Sequence, residues 1–256
     1  MNKITAFASR NIKEILRNPL SYIFCIGFPI VMLIVMTIVN SSIPPEANMT
    51  IFRIDNLSSG IAVFGQMFVM LFTAITVAGD RKEAFLVRMY ASPMKSIDFI
   101  LGYMLPMLVI AVVQCFIIYV SSFIISIIVG VELQITGMIM SLILLIPSSV
   151  MFIAFGMLFG TFFDDKSAPG ICSIIISLGS FFGGIWFDTD GTGGLMLKIC
   201  KCMPFYYCTK TSRSAMSLDF GFENFVFPFI VVIACAVLLS AVSSFAFKMK
   251  MKADLS

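Results

Sequence analysis

The chain has 256 residues, 59% hydrophobic and 12% charged, with a mean hydropathy of +1.03 and a formal net charge of +3. A soluble domain carries about one-quarter charged residues, so this composition excludes that class and points to several membrane passes. Histidine is absent, which removes the commonest general base and metal ligand and disfavours most enzyme readings.

In chain order, residues 3–18 read as an amphipathic helix too polar to span. Ile4, Phe7, Ala8, Ile12, Ile15 and Leu16 gather on one side, and Arg10, Lys13, Glu14 and Arg17 on the other. Such a helix lies in the interface plane with its basic side toward headgroups or a partner subunit. Asn18-Pro19 ends it. Residues 20–39 supply about the 20 apolar positions that cross roughly 30 Å of hydrocarbon, with a kink expected at Pro29. A polar loop at 41–57 leads to a second span at 58–78. The third and fourth spans, 99–129 and 135–163, exceed the minimal length and should tilt or protrude. Asp164-Asp165-Lys166 forms a short loop before the fifth span, 168–187, which Gly183-Gly184 would allow to break. Short outer-leaflet helices are expected near 183–186 and 195–203, before a sixth span at 225–247 and a basic tail.

Two features of the outer segment carry little chemistry. Asp188-Thr189-Asp190-Gly191 imitates the opening of a calcium loop, but Ile199 stands where a bidentate Glu is needed, so a Gly-rich turn is the better account. Four of the seven cysteines sit in apolar runs as small hydrophobes, and Cys200, Cys202 and Cys208 give no zinc or disulfide framework.

Orientation follows from Lys and Arg. Twelve fall on the side of the termini and the 79–97 loop, against five on the other: Arg53, Lys198, Lys201, Lys210 and Arg213. Both termini are therefore expected in the cytoplasm. No span has a charged residue near its centre, which disfavours an ion-coupled carrier. No GxxxxGK[ST] phosphate loop occurs either, so energy for transport would have to come from another subunit. The surface receiving it should be cytoplasmic, charged and joined to spans. The loop at 79–97, GDRKEAFLVRMYASPMKSI, meets that description. Residues 80–90 are strong helix formers, and Ser92-Pro93 reads as a cap and first-turn proline starting the third span.

Three segments carry a resemblance: RNIKEILRNP at 10–19, DRKEAFLVRMYASPMKS at 80–96 and MPFYYCTKTSR at 203–213. In that order and at those separations the chain resembles the permease subunit of ABC-2-type exporters. Ala84-Phe85 stand where that family often has Gly-Thr. The resemblance implies one all-α membrane domain over 1–256, with six transmembrane helices, an N-terminal amphipathic interfacial helix and short outer-leaflet helices before the last span. It implies a second permease copy or a sister permease as partner, with two ABC ATPase subunits. ATP and Mg would sit on those subunits, with no cofactor bound by this chain and no nucleic acid involved. Asp80, Arg81, Lys82, Glu83, Phe85, Arg88, Met89, Tyr90, Ser92 and Pro93 would form the coupling element, flanked by Arg10, Lys13, Glu14 and Arg17. A substrate path at the permease dimer interface would be lined by Gln66, Met67, Met70 and Thr73 of the second span and Ser173, Ser177 and Phe181 of the fifth. That set suits amphipathic or apolar cargo such as a drug, peptide antibiotic, lipid or lipid-linked glycan. The plainer alternative is that these residues pack against neighbouring helices. A secondary carrier or channel, or a non-transporting assembly factor, remain the competing classes, and an ATPase encoded beside this chain would decide against them.

Overall fold

The computed structural model describes residues 3–44, 50–82 and 96–253, and every regular element among them is a helix. α1 covers Lys3–Arg17. Asn18 leaves helical space (φ −90°, ψ 106°), as a residue before proline tends to, and its carboxamide oxygen accepts from the Leu20 N–H at 3.1 Å. Pro19 then opens α2, Pro19–Ser42. The kink expected at Pro29 takes the form of a π turn, Ile23–Gly27, just ahead of it. The same device recurs at Phe222–Val226 ahead of Pro228. A proline removes one N–H and crowds the carbonyl four residues back, and a widened turn accommodates both.

α3 is Ile54–Lys82, so the helix passes through Gly79 and the charged Asp80, Arg81 and Lys82, which the sequence had placed in the loop. No breaker intervenes, and cations in a last turn suit the helix dipole. α4 is Ser96–Val129 with Pro106 inside it. α5, Ile135–Phe162, is interrupted at Leu145 ahead of Pro147. α6, Ser167–Phe182, stops five residues short of the expected end, and Gly184 follows at φ +66°. Residues 183–186 are turns and bends rather than the expected short helix. The second expected short helix is present as α7, Gly194–Cys202. α8, Pro204–Met216, was not anticipated as a helix, and α9 is Phe227–Ala253.

Among the described residues, five helical segments are long and apolar enough to cross a membrane, and α6 is a shorter apolar one. The most apolar stretch of α3 is 83% buried, against 17–50% for the other four, so α3 is the pillar around which the rest assemble. It meets α5 backbone to backbone: a Cβ at Gly156 would lie 2.3 Å from the Met70 carbonyl oxygen, and one at Gly160 would lie 2.6 Å from that of Ala74. This four-residue glycine spacing lets two helices approach without side chains between them. The Phe247 ring near the end of α9 is 6.2 Å from that of Tyr103, which in turn packs on Phe7 of α1. α1 and the last turns of α9 therefore lie at one end of the bundle. α6 begins beside that end, where Asp165 meets Lys82, and finishes where Ile185 packs on Gly60 near the start of α3.

Candidate coupling site

The last turn of α3 sends three consecutive side chains to three different places. Asp80, with 2% of its side chain exposed, accepts from Arg10 Nη1 of α1 and from the Tyr103 hydroxyl of α4, each at 2.7 Å. Arg81 Nη1 donates to the carbonyls of Gly160, at 3.0 Å, and Thr161, in the last turn of α5. Those carbonyls lie where a helix runs out of its own N–H partners, so a guanidinium there satisfies them and suits the dipole. Lys82 Nζ pairs with Asp165 at 2.7 Å in the loop before α6. The neighbouring Asp164 accepts from the Ser167 N–H at 2.7 Å and so caps α6.

The contact with α1 is sealed as well as charged. Asn11 Nδ2 donates to the Gly102 carbonyl at 2.9 Å, and the Phe7 ring lies where a side chain at 102 would be, edge-on to Phe99 and Tyr103. Only glycine fits: a Cβ there would stand 2.2 Å from the Phe7 ring. The inward face of α1 is thus Phe7, Asn11 and Ile15, at i, i+4, i+8, packed on the protein itself. Leu16, expected on the same apolar side, is 51% exposed. Arg10 also pairs with Glu14 at 2.9 Å. Burial by itself would lower the pKa of Arg10, but the hydrogen bond and charge of Asp80, helped by Glu14, outweigh it and raise the net value, so the guanidinium stays charged. Lys13 and Arg17 are exposed. Glu83, Phe85, Arg88, Met89, Tyr90, Ser92 and Pro93 lie outside the described residues.

A family model for the ABC-2 type transporter matches residues 2–217, from α1 through α8. The chain belongs to that family. It is a membrane permease component of an ABC transporter, a multi-pass protein whose partner is an ABC ATPase subunit. A comparison with curated proteins gave no match.

Within the permease, the residues nominated for a substrate path separate into two groups. Gln66, Met67, Met70 and Thr73 are fully enclosed inside the single chain. Gln66 Nε2 donates to Ser149 Oγ at 2.8 Å and to the Leu145 carbonyl at 3.3 Å, and Ser148 Oγ donates to Gln66 Oε1 at 2.6 Å. That carbonyl stands at the break in α5, so Gln66 stabilises an irregular backbone that proline created. Met67 lies under Gly179, and Thr73 packs where Gly156 leaves room, its hydroxyl bonded to the Val69 carbonyl at 2.7 Å. These four pack among the helices that surround α3 within this chain. Ser173, Ser177 and Phe181 are exposed at i, i+4, i+8 on α6, with both hydroxyls returned to the helix backbone at 2.8 and 2.9 Å. The two groups form no common surface in this chain.

Three polar contacts had no forewarning in the sequence reading. Tyr119 of α4, Ser141 of α5 and Ser212 of α8 form a buried hydroxyl cluster, with Tyr119 to Ser141 at 2.5 Å and Ser141 to Ser212 at 2.9 Å. Arg213 Nε donates to the Asn56 carbonyl at 3.3 Å. Tyr103, within the expected third span, donates its hydroxyl to Asp80. Hydroxyls at helical spacing within apolar runs were the available signal, but the partners of Ser212, which are Ser141 and Tyr119, lie 71 and 93 residues away in sequence.

Proposed function

We propose that this permease is the membrane subunit of an ATP-driven exporter, working with a second permease copy or a sister permease and with two ABC ATPase subunits that hold ATP and Mg. Both termini and the 79–97 loop face the cytoplasm in this reading, which the cation bias supports. The observation that carries it is the clamping of the last turn of α3: Asp80 holds α1 and α4, Arg81 holds α5, and Lys82 holds the loop before α6. The segment that begins at Glu83 therefore grows from a turn already tied to three helices and to the loop before α6. An ATPase pushing on that segment displaces the bundle rather than one helix. With Asp80, Arg81 and Lys82 engaged inside the chain, contact with the ATPase falls to Phe85, Arg88, Met89 and Tyr90, with Ser92 and Pro93 starting the return into α4. The cargo is amphipathic or apolar. Its path uses the exposed face of α6, Ser173, Ser177 and Phe181, which is apolar with two hydroxyls and is left uncovered by this chain.

Reconstitution in proteoliposomes with and without a partner ABC ATPase tests the reading. ATP hydrolysis is expected only with the ATPase present, and dye or peptide efflux only with both. Turnover by the lone permease, or efflux driven by an ion gradient without ATP, would overturn it.

A further inference from the structure

The end of the permease away from Lys82 carries a cleft that coupling does not use. Two adjoining cavities, of about 380 and 160 Å³, share Tyr206 and Lys210 of α8 as walls. Arg213 stands in the smaller, and Lys201 of α7 with Phe222 and Phe227 in the larger, where Glu223 is the acid of the wall. Positions 206, 210 and 213 share one helix face, and Lys210 Nζ is fixed toward the Tyr206 hydroxyl at 3.4 Å, Arg213 Nε toward the Asn56 carbonyl. Only five Lys and Arg fall on this side of the chain, and three of them converge here. Cations are sparse at this end and gathered in one concave place.

The rim is apolar and continues away from the cleft. Phe222 is 69% exposed and Phe227 48%, and the exposed Ile230, Ile233 and Val237 extend the stripe along α9 at helical spacing. A cationic hollow opening onto an apolar stripe matches a molecule with an anionic head and a hydrocarbon tail. A soluble anion would leave the stripe unused, and a zwitterionic head would bring its own cation against Lys201, Lys210 and Arg213. We propose that this cleft binds the phosphate headgroup of an anionic phospholipid from the leaflet at that end, with its acyl chain along α9.

The test uses the full permease in nanodiscs of phosphatidylcholine containing a minority of phosphatidylglycerol, with retained lipid counted by native mass spectrometry. Preferential retention of phosphatidylglycerol is expected. Lys201→Gln should cut that preference about fivefold, the scale of one lysine beside an anionic lipid, and adding Lys210→Gln should abolish it. Lys198→Gln, exposed on the same helix but outside both cavities, should leave it unchanged. Lys201 is exposed, so its variant keeps the fold, and circular dichroism checks the double variant. Equal loss in Lys198→Gln would reduce the effect to general surface charge and overturn the proposal. So would an absence of preference, or displacement of the lipid by inorganic phosphate at matched concentration, which would make this a soluble-anion site. The measurement involves no ATPase and no transport, so it stands or falls apart from the exporter reading.

Discussion

Arg10 of α1 and Asp80 of α3 meet at 2.7 Å, seventy residues apart, with the Tyr103 hydroxyl on the same carboxylate oxygen. The carboxylate is the more enclosed partner, at 2% exposure against 32% for Arg10, so its cost is the greater when the pair is broken. Arg10→Ala should lower stability by about 3 kcal/mol, because it strands a buried charge. Tyr103→Phe removes one charge-assisted hydrogen bond and should cost about 1.5–3 kcal/mol. Thermal unfolding in detergent reads both. If Arg10→Ala melts with the exposed Lys13→Ala, the pair is not holding α1 to α3.

The contact between α3 and α5 depends on two glycines. Gly156→Ala and Gly160→Ala place a methyl against the carbonyls of Met70 and Ala74, which are backbone and do not swing aside. Each should destabilise by about 1–3 kcal/mol, as overpacking does. Gly170→Ala, where a Cβ meets nothing, should be silent in the same unfolding assay. Equal melting of all three would show that the helices do not touch in membranes.

At the coupling segment, Lys82 and Phe85 separate two ideas. The Lys82–Asp165 pair is largely exposed and should contribute only about 0–1 kcal/mol, whereas an aromatic anchor seated in a partner is worth about 2 kcal/mol or more. Phe85→Ala should therefore lose ATPase stimulation and co-purification more severely than Lys82→Ala. The reverse order, at matched permease levels, would make this segment a basic anchor instead.

Asp164 gives a pH signature. Hydrogen bonds from the Ser167 side chain and N–H hold its carboxyl below the ordinary 3.8, so it favours the folded state while ionised. Its contribution is full above pH 3.8 and is lost as pH falls through the depressed folded value. Asp164→Asn keeps an acceptor oxygen but does not titrate. The melting-temperature gap between wild type and this variant should be constant from pH 7 to about 5 and shrink below about 4. A gap independent of pH would place no titrating cap there.

Topology can be read from a native residue. Cys202 is exposed at the end opposite Lys82, and Cys25, Cys115, Cys172, Cys200 and Cys208 are buried. An impermeant thiol reagent added to intact cells should label Cys202. In a Cys202→Ser background, Lys250→Cys should stay unlabelled until the membrane is opened, while Asn48→Cys labels from outside. The opposite pattern would invert the orientation.

The sequence by itself determined the class and much of the outline. Apolar runs long enough for lipid and a Pro after Asn18 act through local sterics and solvent preference, so the membrane class and the end of α1 were legible without partners, while the paired glycines at 183–184 marked where the fifth span, expected to reach 187, could break. The ABC-2 family resemblance was legible for the same reason, since it rests on the order of such segments. The tertiary structure alone decided which way side chains point. A helix apolar all round gives no periodicity to mark its inner face, so nothing in residues 58–78 distinguished a lining Gln66 from one spent on the Leu145 carbonyl. Likewise Asp80, Arg81 and Lys82 read as loop charges in sequence, because a charge is polar wherever it stands. Only the arrival of Arg10, Tyr103, the α5 carbonyls and Asp165 within 3.0 Å turned them into the clamp at the end of α3, and such long-range pairings have no local trace.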